Sequence, residues 1–399
     1  LCFLLYALFG NYLPGSLGHR GYGFDQVVNQ LGFGTEGIYG TPTYVSSTYI
    51  FLFILFGSFL EQAGMIRLFT DFALGTVGHT KGGPAKVAVI SSGLMGTING
   101  SGVANVVTTG QFTIPLMKKF GYRPAFAGGV EATASMGGQI MPPVMGAVAF
   151  IMAETINVPY VEICKAAAIP AILYFITAFW MVHLEAGRAN LIGLPKDQCP
   201  NPWTAIKAQW YLLLPLIGLV YLLFAGYTPL FSGMVGLALT CVLIFGVNVS
   251  RSIKVTVIRL LFWVALGLAC SAFFKFGIGA VMALIALLVA VNFGLKGGPA
   301  TLKLALGALA DGAKHALPVG VACALVGVII GVITLTGIAT TFAGFVIDLG
   351  RQSLFLSLFL TMLVCLILGM GIPTIPNYII TSSIAAPALL ELGVPLIVS

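Results

Sequence analysis

Long apolar blocks alternate with short polar links along the whole chain. A transmembrane helix needs about 20 apolar residues to cross a ~30 Å hydrocarbon core. Blocks at 43–60, 160–184, 209–226, 230–249, 255–273, 276–294 and 317–340 meet that requirement, and 1–9 reads as the stump of another. Segments 65–78 and 300–316 place Arg67, Asp71, Lys303, Asp311 and Lys314 at amphipathic spacing and are expected at the membrane interface. The stretch 10–42 is polar and Gly-rich, an external loop. Period-2 alternation is lacking, which predicts a helical bundle and excludes an outer-membrane barrel.

Three apolar stretches are broken in the middle. Between Lys86 and Lys118 the centre reads Asn99-Gly100-Ser101-Gly102, which leaves two arms of roughly 24 Å, short for a crossing. Lys81 and Lys86 stand before it and Lys118, Lys119 and Arg123 after it, so the pattern predicts a hairpin that enters and leaves on the cytoplasmic side. The stretch 124–156 is interrupted by Gly137-Gly138-Gln139-Ile140-Met141-Pro142-Pro143, which removes helix propensity and backbone donors together and predicts a broken helix. The stretch 352–391 carries Gly369-Met370-Gly371-Ile372-Pro373-Thr374-Ile375-Pro376-Asn377 at its centre, with feet at Asp348, Arg351 and Glu391.

A shift of 272 residues lays Asn105 on Asn377, Thr109 on Thr381, Pro115 on Pro387 and Gly121 on Gly393. Residues 43–123 and 316–395 thus read as two copies of a span, a Gly-rich link and a hairpin. When the crossings are followed from an external 10–42 loop, all but Arg20, Lys165, Lys275 and Arg351 of the 19 Lys and Arg residues fall on the cytoplasmic side. The same path opens the first hairpin inward and the second outward. Inverted repeats of this kind are a hallmark of secondary transporters. The resulting organisation is an upstream helix end and loop (1–42), a first repeat (43–184), connecting helices (185–315) and a second repeat (316–399).

Composition agrees: of 399 residues 58% are hydrophobic and 8% charged, where a soluble domain carries about a quarter charged. The net charge of +7 reports loop orientation rather than nucleic-acid binding. Seven scattered cysteines and four dispersed histidines show neither disulfide nor metal-ligand spacing. No Walker A sequence is present, so the chain itself reads as no ATPase, and no catalytic constellation marks an intramembrane enzyme. The chain opens at Leu1-Cys2-Phe3 inside an apolar stretch and ends just after Pro395, so it reads as a segment cut at both ends.

Unwound backbone at mid-membrane is tolerated where it lines a cavity or holds an ion. Freed carbonyls and small hydroxyls suit Na⁺, and half-helix N-termini suit an anionic group. The expected ion and substrate site therefore draws on Asn99, Gly100, Ser101, Gly102 and Asn105 with Gly137, Gly138, Gln139, Pro142 and Pro143. Gly369, Gly371, Thr374 and Asn377 form the matching second tip, while Thr381, Ser382 and Ser383 read as hydroxyls bonded back to their own helix. Glu131 is a carboxylate placed inside an intramembrane helix. It is either a functional group, serving proton coupling, ion binding or an internal pair, or a residue close enough to the cytoplasmic foot to reach water or Arg123.

The run Gly82-Gly83-Pro84-Ala85-Lys86-Val87-Ala88-Val89 resembles the large membrane subunit of tripartite ATP-independent periplasmic (TRAP) transporters, and most closely its TAXI branch with fused membrane subunits. Val103 to Gly110, Gly137 to Pro143, and Gly369 to Pro373 followed by Ala386-Pro387-Ala388-Leu389 carry the same resemblance. The resemblance implies an all-α, elevator-type fold in a bacterial inner membrane. It also implies a periplasmic solute-binding protein, a small membrane subunit fused upstream, and uptake of a small organic anion driven by Na⁺ or H⁺. A sodium site at Asn99, Ser101 and Gly138 is carried over from it, with a second broken helix expected beyond Ser399. A stand-alone anion symporter of the same fold is the alternative.

Overall fold

The computed structural model describes residues 2–15, 18–271, 277–338, 354–369 and 374–391, and the described residues are helical, without strands. Helices are numbered here as α1 (Cys2–Phe9), α2 (Thr41–Ala63), α3 (Met65–Val77), α4 (Gly83–Asn99), α5 (Gly102–Lys119), α6 (Pro124–Gly137), α7 (Ala147–Thr155) and α8 (Tyr160–Arg188). They continue with α9 (Pro202–Gln209), α10 (Leu213–Phe224), α11 (Pro229–Ser252), α12 (Thr256–Ser271), α13 (Ile278–Phe293), α14 (Gly298–Thr336), α15 (Leu354–Gly369) and α16 (Thr374–Glu391). Five runs among the described residues are long and apolar enough to cross a membrane: Thr41–Ala63, Tyr160–Arg188, Lys196–Phe224, Pro229–Ser252 and Gly298–Thr336. The chain is an all-α polytopic membrane protein.

Expectation and structure differ at 300–316: the amphipathic stretch and the span after it form one 39-residue helix, α14. Pro318 lies just past the joint, between Gly312 and Gly320, and the helix continues through it. Gln62 Nε2 donates to Asp311 Oδ2 at 2.8 Å, and Gly312 lies so close to α2 that a Cβ would strike Leu55. Lys86, one of the basic residues before the hairpin, is buried. It is only 5% exposed, donates to Thr80 Oγ1 at 3.3 Å, and sits 5.0 Å above the Phe179 ring, where cation–π attraction offsets part of its desolvation.

The chain packs as two compact units. One comprises Phe51–Gly146 with Ala167–His315, the other Leu1–Ile50, Ala147–Ala166 and the chain from Ala316 onward. The first unit holds two apolar cores. Phe59, Val242, Phe245, Leu266, Leu288, Ala305 and Ala308 form one, and within it Asn248 Nδ2 donates to Asn292 Oδ1 at 2.7 Å between α11 and α13. Ala85, Ala88, Val89, Met117, Tyr122, Ala127, Val130, Ala134 and Val182 form the other. It packs α4, α5, α6 and the later turns of α8 into one body. In the second unit Ala7, Val27, Leu31 and Val332 cluster, and Phe150 stacks on Tyr160 with ring centroids 4.4 Å apart.

The expected hairpin is α4 and α5, of 17 and 18 residues, or about 26 Å each. Pro84 starts α4 where its missing N–H is harmless. Gly100 at φ +57° ends it, and Ser101 caps α5 by accepting from the Ala104 N–H at 3.3 Å. Lys118 and Lys119 close α5 where its dipole favours cations. Contacts between Ser92 and both Asn105 and Thr109 show that the two helices run antiparallel.

In a cysteine-free background, Lys81→Cys and Lys119→Cys are expected to react with a membrane-impermeant thiol reagent from the same face of sealed vesicles. Reaction from opposite faces would show that the pair crosses the membrane instead of re-entering.

Candidate functional site

The hairpin tip and the break after α6 meet. A Cβ on Gly100 would run into the Met145 carbonyl and lie 3.4 Å from the Gly146 nitrogen. Met145 itself adopts φ +52°, left-handed backbone that a side chain rarely takes and that costs about 1–3 kcal/mol. The Gly146 N–H donates to the Gln139 carbonyl at 2.7 Å, folding the break onto itself. One turn below the tip, Gly96 and Gly138 touch backbone to backbone, and a Cβ on either would strike the other. A Cβ on Gly102 would meet Gln139 and Met136. The peptide bond between Pro142 and Pro143 is cis. Of the sequence-predicted residues, Gly100, Gly102, Gly137, Gly138 and Gln139 are thus brought into one packed body by α4, α5 and the broken α6–α7 segment.

Asn99 and Ser101 share a cleft on the other side of the tip, also lined by Ile54, Ser58, Ala104 and His315. Its volume is about 10 Å³, enough for a single water-sized species. Asn99 Nδ2 donates to Glu61 Oε1 at 3.0 Å, and Asn99 Oδ1 accepts from the Ser101 N–H at 3.4 Å. Gly138 lies a turn away, on Gly96. Asn105 points inward instead: it is fully buried and its Nδ2 donates to the Ser92 carbonyl at 2.8 Å, tying α5 to α4.

Glu131 is fully buried, and the described residues offer it no ion pair, Arg123 included. Hydroxyls from three helices converge on it: Ser92 Oγ at 3.1 Å, Ser135 Oγ at 3.0 Å, and the Thr109 and Thr113 hydroxyls in short contacts. Each hydroxyl carries one hydrogen. Thr109 and Thr113 can give theirs either to Glu131 or to the carbonyls of Asn105 and Thr109 one turn back. These bonds staple α4, α5 and α6 together.

In the stretch expected to form a second repeat, α15 ends at Gly369 and α16 begins at Thr374; Gly371, Asp348 and Arg351 lie outside the described residues. A Cβ on Gly369 would approach Asn377 Nδ2 at 3.4 Å. Thr381 Oγ1 donates to Asn377 Oδ1 at 3.5 Å, as Thr109 Oγ1 approaches Asn105 Oδ1 at 3.4 Å in the first hairpin. These are the residue pairs that the 272-residue shift superimposes. Ser382 bonds back to the Ile379 carbonyl at 3.2 Å, in keeping with the sequence.

Several contributors escape the sequence: Ser92, Thr109, Thr113 and Ser135 around Glu131, and Glu61 behind Asn99. Lone hydroxyls are common in membrane helices, and only the spacing Thr109–Thr113 and Glu131–Ser135, four apart on one helical face, signals that they converge.

A family model described as tripartite ATP-independent periplasmic transporter, DctM component, matches residues 2–262 and 248–399. The C4-dicarboxylate TRAP transporter large permease protein of Pseudomonas aeruginosa is 31% identical over 179 residues, covering 44% of this chain and 41% of the relative. Its namesake from Rhodobacter capsulatus is 27% identical over 213 residues, covering 49% and 47%. The sialic acid TRAP transporter large permease protein of Vibrio cholerae is 27% identical over 178 residues, covering 44% and 41%. The chain spans less than half the length of these relatives.

Two substitutions test the geometry by thermal unfolding of the purified protein. Gly100→Ala adds a Cβ in left-handed backbone against a carbonyl and is expected to cost about 1–3 kcal/mol. Glu131→Ala removes the acceptor shared by four hydroxyls and is expected to cost about 2–4 kcal/mol, with Glu131→Gln recovering most of it.

Proposed function

The chain belongs to the DctM family of tripartite ATP-independent periplasmic transporter components, and from that membership we propose that it works as the large permease subunit of an importer for a small organic anion, driven by an ion gradient and fed by a periplasmic solute-binding protein. It is a multi-pass protein of a bacterial inner membrane. A small membrane subunit, fused upstream in the TAXI manner, completes the assembly.

The observation that carries this reading is the seating of the Gly100 tip against the Met145 carbonyl, with the Gly138 backbone packed on Gly96 below it. A helix reversal and a helix break in mutual contact gather carbonyl oxygens that neither helix can satisfy alone. Such oxygens, with the amide of Asn99 and the hydroxyl of Ser101, are the donor set that Na⁺ prefers. The N-terminal turn of α5, at Gly102, faces its positive dipole end toward the tip and suits a carboxylate. The second tip, through Gly369, Thr374 and Asn377, would supply the matching half.

The four-helix body built from α4, α5, α6 and α8 is the element that would move as a rigid elevator, because its core is continuous and its hydroxyl network ties its parts together. Glu131 gives the same body a site for H⁺. The stand-alone symporter differs only in needing no binding protein.

Uptake of radiolabelled anion into vesicles holding the full-length protein and its small subunit is the test. Uptake is expected to need both the binding protein and an imposed gradient, and to fall about tenfold or more when either is withdrawn. Uptake that survives collapse of both the Na⁺ and the H⁺ gradient overturns coupling, and uptake without the binding protein favours the symporter. Ser101→Ala is expected to raise the Na⁺ concentration for half-maximal rate if Na⁺ is the driver. Glu131→Gln is expected to abolish acceleration by a pH gradient if H⁺ is.

A further inference from the structure

Glu61 lies outside every expectation raised by the sequence, yet it touches the centre of the proposed site. It stands on the last turn of α2, next to Gln62, whose amide donates to Asp311 on α14. The close approach of Gly312 to Leu55 and Ser58 holds that turn against α14. The backbone that carries Glu61 is therefore fixed from outside the hairpin.

Its carboxylate decides which way the Asn99 amide faces. With Nδ2 toward Glu61 Oε1, Oδ1 is left to accept from the Ser101 N–H, which closes the reversal as an Asx turn. Turning the amide over would set oxygen against carboxylate oxygen and nitrogen against the Ser101 N–H, two repulsive contacts in place of two hydrogen bonds. Ser101 in turn caps α5 through its hydroxyl. A chain of contacts thus runs from Glu61 through Asn99 to the first turn of α5. Among charged neighbours, Asp311 repels the Glu61 charge, and His315 lines the same cleft.

We propose that Glu61 is a positioning residue for the first hairpin tip, acting through the Asn99 amide to set the conformation in which Asn99 and Ser101 meet the transported ion. The proposal rests on the reading of this tip as part of the ion site. It separates two jobs among the buried carboxylates: Glu131 holds the hairpin's arms together, and Glu61 holds its point. The requirement is for an acceptor oxygen at this place, which a glutamine also offers and an alanine does not.

Hydrogen exchange of the full-length protein, followed at the amides of residues 100–105 with α11 as reference, tests the positioning directly. Glu61→Ala is expected to speed exchange at the tip about tenfold with α11 unchanged, and Glu61→Gln to stay within about threefold of wild type. Asn99→Asp, which sets two carboxylates face to face without opening space, is expected to speed it at least as much, and serves if Glu61→Ala unfolds. In vesicles, Glu61→Ala is expected to raise the half-saturating concentration of the driving ion about tenfold while the maximal rate changes less than threefold, with Glu61→Gln restoring it. Unchanged tip exchange in Glu61→Ala and Asn99→Asp, or Glu61→Gln as fast as Glu61→Ala, overturns the proposal. If exchange responds as stated while uptake proves independent of any gradient, the transport reading fails and the positioning role stands.

Discussion

Backbone that leaves a helix inside lipid must find its hydrogen-bond partners within the protein, since no water is there to supply them. The molecule meets this constraint twice in the same place. The reversal between α4 and α5 exposes the groups around Gly100 and Ser101, and the break after α6 exposes those around Gln139 and Met145. Each is placed where the other covers it, and the Gly96–Gly138 contact below lets them come close enough. Side chains then finish what backbone cannot: Ser101 caps α5 and Asn99 closes the turn, while the break is closed by backbone alone, the Gly146 N–H donating to the Gln139 carbonyl. A left-handed methionine at Met145 is the strain that this arrangement bears.

Much of this was legible from residue order because glycine and proline act locally. Gly100, the Gly137-Gly138 pair and Pro142-Pro143 lower helix propensity in clusters, so the breaks could be located without knowing what they pack on, whereas Gly128-Gly129 and the lone Pro115 and Pro170 stay inside helices. Five of the seven expected spans were equally plain, since their lengths answer to the bilayer, while those at 255–273 and 276–294 form helices of only 16 residues each among the described residues. What could not be read was anything that depends on two helices meeting. Nothing near Lys86 in the sequence announces Phe179 as the face it lies on. Glu131 could be marked as costly, but its four hydroxyl partners come from segments 18 to 39 residues away, apart from Ser135. Asn105 looked like a ligand from its place near the tip, whereas the turn of α5 aims it at the Ser92 carbonyl. The merged α14 could not be read because Pro318 lies just past the joint, where a proline normally ends a helix, yet the helix runs on through it.

An Asn–Thr pair four residues apart recurs in the two stretches that the 272-residue shift aligns, Asn105 with Thr109 and Asn377 with Thr381. That spacing puts amide and hydroxyl on one helical face. In the first hairpin the single Thr109 hydrogen goes to Glu131 or to the Asn105 carbonyl, so what the pairs share is placement rather than a common bond.

Lys86 and Glu131 are the two charged side chains buried in the α4–α6 body among the described residues. Each is held by its own neighbours, Lys86 by Thr80 and the Phe179 ring and Glu131 by four hydroxyls, so the two interior charges are solvated separately rather than by one another.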